Sequence, residues 1–183
     1  MKYFIKIIKE SIIVIILTSL IGMLTGSFLS FNENILYTIP IILLLLPALN
    51  SLIGDISTVL SSRLTSHLYI GSLSPKIQGS HRLKEDFLGL LITILLSLIS
   101  LIVIGYSMGI ITGIHIINPF LIFIILLITI TSLFCILFIF IFMSAIILFK
   151  RGKDPNNFLI PFVTSLADFL TPFFLIIFIT IFI

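Results

Sequence analysis

Apolar residues in this chain come in long unbroken runs, and polar residues collect between them. Five runs stand out, at 10–30, 37–62, 87–113, 118–149 and 158–183. Each reaches the ~20 residues that a helix needs to cross a ~30 Å hydrocarbon core. A lone span in lipid must satisfy its own backbone, so these runs predict five transmembrane helices, although their many Ile and Phe residues favour strands in water. The fourth is long enough to tilt or to extend past the membrane. The longest polar stretch, 63–86, predicts a surface loop. The expected fold class is an all-α integral membrane protein, with a single five-helix domain over 1–183 and no soluble regulatory domain.

Composition agrees with that pattern. The chain is 60% hydrophobic and 9% charged, against roughly 25% charged in a soluble domain. Its net charge of +3 would point to nucleic acid in a soluble protein, but the placement of the charge gives it another meaning. Lys2, Lys6 and Lys9 precede the first segment; Arg63, Lys76, Arg82 and Lys84 lie between the second and third; Lys150, Arg151 and Lys153 lie between the fourth and fifth. The connections 31–36 and 114–117 and the C-terminus hold none. That alternation predicts a multi-pass protein of the cell membrane with the N-terminus in the cytoplasm and the C-terminus outside, surrounded by lipid and without a nucleic-acid partner.

Several features read as structural. The single Cys135 cannot form an internal disulfide and sits among Phe, Ile and Leu. Gly22 and Gly26, and Gly105, Gly109 and Gly113, recur every fourth residue, a spacing that lets helix backbones approach. Glu10 is placed to pair with Lys6 and Lys9 at the membrane edge. His67 and His81, read as loop residues, and His115, near a helix end, are scattered and read as interfacial or solvated. No zinc spacing, phosphate loop or nucleophile triad appears, so an enzyme is not expected. Asp55 and Asp168 make a pair of aspartates, but the glycines of a two-aspartate protease are missing around the second.

Two segments carry chemistry. In the second, Pro40 and Pro47 are expected to interrupt the helix and to free the carbonyls of Leu36 and Leu43. Ser51, Asp55, Thr58 and Ser62 follow on one helical stripe, with Asn50, Gly54, Ser57 and Ser61 on the next. In the fifth, Asp154 and Pro155 make a standard helix start. Pro161, Thr164, Ser165, Asp168, Thr171 and Pro172 then fall on one face. An unpaired ionisable group inside a span costs at least ~2.5–3.5 kcal/mol, which makes it a functional candidate by default. Asp168 lies roughly 16 Å from the start of its segment, and Asp55 and Asn50 roughly 12 and 20 Å from Arg63, at 1.5 Å per residue. The two oxygen-rich faces are therefore expected to meet near the midplane. Carboxylates, hydroxyls and carbonyls without Cys or His suit a hard cation. Mg²⁺, Na⁺ and H⁺ all remain open on this chemistry.

The stretch from Asp154-Pro155 through Pro161-Phe162-Val163-Thr164-Ser165-Leu166-Ala167-Asp168 resembles the fifth-helix signature of the MgtE magnesium transport family. Gly54-Asp55 through Arg63-Leu64 is similar to the second-helix motif of that family and its eukaryotic solute-carrier relatives. The resemblance implies a dimer with a Mg²⁺ pore lined by the second and fifth helices at its axis, Mn²⁺ or other divalent cations being alternatives. It gives Asp168 the role of ion ligand and Thr164 that of a nearby carbonyl donor. Asn50 and Asp55 join them as candidate metal ligands, with Ser51, Thr58, Pro161, Ser165, Thr171 and Pro172 as pore lining. The family motif has Asn where this chain has Asp55. Bacterial-type members carry cytoplasmic CBS domains, whereas about nine residues precede the first segment here. A bare pore domain is thus expected, as a homodimer or as a heterodimer with a similar half-size chain. The competing readings are a Na⁺- or H⁺-coupled exchanger and a non-transporting membrane subunit.

Overall fold

A computed structural model describes residues 2–75, 80–114, 116 and 118–183, with Phe4 and Ile8 the only side chains described among residues 2–10. The readings placed on Glu10 with Lys6 and Lys9, and on His115, lie outside these described residues. The described residues form six helices and no strand. These are α1 (Lys2–Phe31), α2 (Glu33–Thr38), α3 (Pro40–Ile70), α4 (His81–Ile111), α5 (Pro119–Lys150) and α6 (Pro155–Phe182). All but the short α2 are long and apolar enough to cross a membrane.

The helix ends follow local chemistry. Pro40, Pro119 and Pro155 each open a helix, where a missing N–H costs nothing. Ser80 caps α4 by accepting from the Leu83 N–H at 3.2 Å, and Asp154 caps α6 by accepting from the Asn156 N–H at 3.0 Å. Gly71 closes α3 at φ 79°, a left-handed conformation that glycine adopts without a Cβ penalty.

Two expectations change. Pro40 does not interrupt a helix; it starts α3, and the Leu36 carbonyl accepts from the Ile39 N–H at 3.3 Å. The loop expected at 63–86 shrinks to ten residues between Ile70 and His81. Leu64, Thr65 and Leu68 are buried on one side of the continued α3, so packing carries the helix past Arg63 while Ser62, Arg63 and Ser66 face outward. His67 therefore belongs to α3, and His81 is the first residue of α4.

α3, α5 and α6 pack on one another, with α3 and α6 the most extensive pair. α1 lies against α6, and α4 against α3 and α5. The apolar core runs through α5, from Ile122 and Ile125 to Ile141 and Ile146. α4 shows two sides: Leu90, Ile94, Leu98 and Ile102 are buried, while Leu88, Ile92, Leu96 and Ile99 are exposed. In lipid, close packing rather than water exclusion drives such association. Gly105 and Gly109 contribute to it as expected, since a Cβ there would collide with Leu45 and come within 2.8 Å of Ile41 Cδ1. Gly22 and Gly26 do not, because nothing lies within 4 Å of a Cβ at either position. Gly113 sits in a turn at φ 74°.

Candidate functional site

α3 and α6 run antiparallel. Tyr69 near the end of α3 stacks edge-on against Phe149 at the end of α5, centroids 5.3 Å apart, and a short turn leads from there into α6. The two helices meet at Gly54, where a Cβ would lie 3.9 Å from Thr164 Cγ2. This contact sets their register. Four residues further along α6 is Asp168, and four residues back along α3 is Asn50, so these two share a level. Asp55 is offset from Asp168 by five residues along the bundle, or roughly 7 Å. The register thus brings Asn50, rather than Asp55, to the level of the α6 acid.

The polar side of α3 divides in two. Ser57 and Ser61 are 3% and 0% exposed; Ser61 Oγ donates to the Ser57 carbonyl at 2.9 Å, so this stripe packs inside the helix bundle. Ser51, Asp55 and Ser62 are exposed and Thr58 is half-buried, with its hydroxyl donating to the Asp55 carbonyl at 2.8 Å. Asn50 is half-buried, and its Oδ1 is enclosed without a hydrogen-bond partner among the described residues. A buried acceptor left unpaired costs about 1–3 kcal/mol.

On α6, Asp168 is exposed, while Pro161, Thr164 and Ser165 are half-buried. Thr164 Oγ1 donates to the carbonyls of Ile160 and Pro161 at 3.1 and 2.9 Å. That leaves its oxygen free only as an acceptor. Pro172 has no N–H to offer the Asp168 carbonyl. Thr171 and Pro172 themselves, expected on the lining face, are buried within the helix bundle, and Thr171 Oγ1 donates to Ala167 O at 2.8 Å. They lie toward the level at which Phe28 of α1 packs on Phe169 and Phe173.

Neither the Asp55 nor the Asp168 carboxylate has an ion-pair or hydrogen-bond partner among the described residues. Both are exposed in the middle of apolar helices. No three His, Cys, Asp or Glu side chains gather into a cation cage among those residues. The chain thus presents isolated carboxylates beside amide, hydroxyl and carbonyl oxygens. Such a surface suits a cation that keeps much of its water.

One charged group escaped the sequence reading. Asp86, the sixth residue of α4, is 3% exposed. Its Oδ1 accepts from Arg63 Nε at 2.8 Å and lies 2.6 Å from Nη2, while Oδ2 is 3.2 Å from His67 Nε2. The His67 ring continues to Ser72 Oγ at 3.0 Å. The only sequence signal was the i, i+4 spacing of Arg63 and His67. Their acid lies 23 residues from Arg63, in what read as a loop.

The sequence model of the MgtE family, described as divalent cation transporter, matches residues 46–178, more than half of the chain. No curated protein and no solved structure matches. The matched span takes in α4, α5 and most of α3 and α6, with both carboxylates.

Proposed function

Because the chain belongs to the MgtE family of divalent cation transporters, we propose that it moves Mg²⁺ through a pore lined by α3 and α6 where two copies meet. The observation that carries this reading is the exposed Asp168 carboxylate, deep in a membrane-spanning helix and without a cationic partner among the described residues. A lipid-facing carboxylate is costly. A water-filled axis between two copies relieves that cost and supplies a second acid. Mg²⁺ is commonly held through one or two carboxylates with waters retained, which matches this sparse set; Mn²⁺ and other divalent ions bind oxygen similarly.

In this reading Asp168 is the central ligand. Asn50, level with it, turns its unpaired amide oxygen to the ion or its water. The Thr164 region supplies carbonyl oxygen one turn nearer the basic end. Asp55, roughly 7 Å nearer that end, draws cations toward the centre, with Ser51, Thr58, Pro161 and Ser165 along the path. The protein sits in the cell membrane with its basic end in the cytoplasm. The assembly is a homodimer, a pair with a similar half-size chain being the other arrangement that completes the site.

Reconstitution in liposomes tests it. Mg²⁺ flux down its gradient is expected from the unaltered chain and is lost with Asp168→Ala. Selective flux unchanged by Asp168→Ala removes that residue from the site. Flux that requires a Na⁺ or pH gradient replaces a channel with an exchanger.

A further inference from the structure

A groove of roughly 280 Å³ opens near the basic end of the bundle, between α1, α5 and α6. Its walls include Val14, Leu17, Phe140, Ser144, Phe158 and Phe162. Ser144 is the one polar residue of the lining. The groove is continuous with the apolar flank of α1, where Ile12, Ile16 and Leu20 are exposed. At the turn from α5 into α6, just beyond it in the chain, the character reverses. Lys150, Arg151 and Lys153 are all exposed, and none is paired with a carboxylate among the described residues. Lys153 Nζ lies 5.1 Å from the centre of the Phe158 ring, which is itself a wall of the groove. Arg151 follows Phe140, Ser144, Ile147 and Leu148 on one stripe of α5 and its cap. The neighbouring acid, Asp154, is committed to capping α6.

We propose that this groove is a binding site for an anionic phospholipid of the surrounding bilayer, one acyl chain lying between α1, α5 and α6 and the phosphate headgroup resting on Lys150, Arg151 and Lys153. The occupant is identified by two adjoining chemistries. An apolar slot open to the lipid-facing side takes a hydrocarbon chain, and exposed cations at the interface select negative headgroups. The α5–α6 turn that bears these cations leads directly into α6, the helix that carries Asp168. The lipid therefore braces the start of that helix against α1 and α5.

Native mass spectrometry of the full chain tests the site, with phosphatidylglycerol and phosphatidylcholine of identical acyl chains offered in equal amounts. Retention of phosphatidylglycerol is expected to exceed that of phosphatidylcholine by about tenfold. The combined Lys150→Gln, Arg151→Gln and Lys153→Gln chain, whose apolar walls are untouched, is expected to lose the preference. Ser144→Phe, which fills the groove, is expected to lose retention of both lipids. Equal retention of the two lipids by the unaltered chain overturns the proposal, and so does a preference that survives the charge-neutral variant. Efficient disulfide crosslinking of Ser144→Cys between two copies, in a Cys135→Ala background, also overturns it by placing protein in the groove.

Discussion

Gly54 of α3 faces Thr164 of α6 at a distance that leaves room for one methyl group and little more. A Cβ at residue 54 would rest 3.9 Å from Thr164 Cγ2, an ordinary contact. Gly54→Ala is therefore expected to keep both fold and flux, whereas Gly54→Leu drives α3 and α6 apart at the level between the two acids. We expect the Leu variant to lose at least about tenfold in Mg²⁺ flux and about 1–3 kcal/mol in stability. Liposome flux and denaturant unfolding in detergent measure the two effects. Equal behaviour of the two variants would sink the proposed register.

Asn50 separates function from stability. Its amide oxygen is enclosed and without a partner among the described residues, so replacing it with Leu, which branches at the same atom, removes a desolvated polar group. Asn50→Leu is expected to match or exceed the parent in thermal stability while flux falls at least about tenfold. A variant that unfolds early and transports normally gives Asn50 a structural role instead.

Proton and cation compete for a carboxylate ligand, since only the deprotonated form binds a cation. Divalent binding at Asp168 is thus expected to weaken as pH falls from about 6 to 4, toward the usual carboxylate range. Calorimetric titration of Mg²⁺ into the detergent-purified protein across that range follows it. In Asp168→Asn the residual affinity is expected to be independent of pH. A parent chain with equally flat affinity would argue against a carboxylate ligand.

The Arg63–Asp86–His67 cluster ties α3 to α4 at their basic ends. Removing Arg63 leaves a nearly enclosed carboxylate with one partner fewer, and breaking a buried pair from one side typically costs 3–5 kcal/mol. Arg63 is half exposed, so Arg63→Ala is expected near the low end, at about 3 kcal/mol. Asp86→Asn, which keeps a carbonyl oxygen for Arg63, is expected to cost less. Unfolding of the two variants in detergent decides the order.

The glycines divide in the same physical way. Gly105→Ala meets Leu45, which is itself 2% exposed and hemmed in, and is expected to cost about 1–3 kcal/mol. Gly22→Ala meets nothing and is expected to be neutral or slightly stabilising, because Ala is the better helix former. Thermal unfolding of the pair checks the contrast.

Much of this protein is legible along the chain. Five apolar runs, spaced lysines and arginines and two stranded aspartates specify an all-helical membrane domain, and the residues from Pro161 to Asp168 lie within the span that the family model matches. These properties are local. Run length decides whether a helix spans, and a carboxylate among Ile and Phe is conspicuous wherever the neighbours are. The helix that opens at Asp154-Pro155 was readable for the same reason, since a cap acts within one turn. The boundary at Arg63 was not, because burial of Leu64 and Leu68 by other helices extends α3 where local polarity suggests a loop.

Tertiary structure decided which way each stripe faces. Periodicity puts Ser51 and Asp55 beside Gly54 and Ser57, but only the packing of α6 and its neighbours buries the second pair and leaves the first outside. The same packing encloses Thr171 and Pro172, though they share the helical face of Asp168. It sets Asn50 rather than Asp55 level with Asp168, because antiparallel helices exchange offsets through a single contact at Gly54. It also gives Asp86 its partners across a connection that sequence spacing does not bridge. A residue's own turn of helix determines what it can offer, and the neighbouring helices determine whether that offer is buried or exposed.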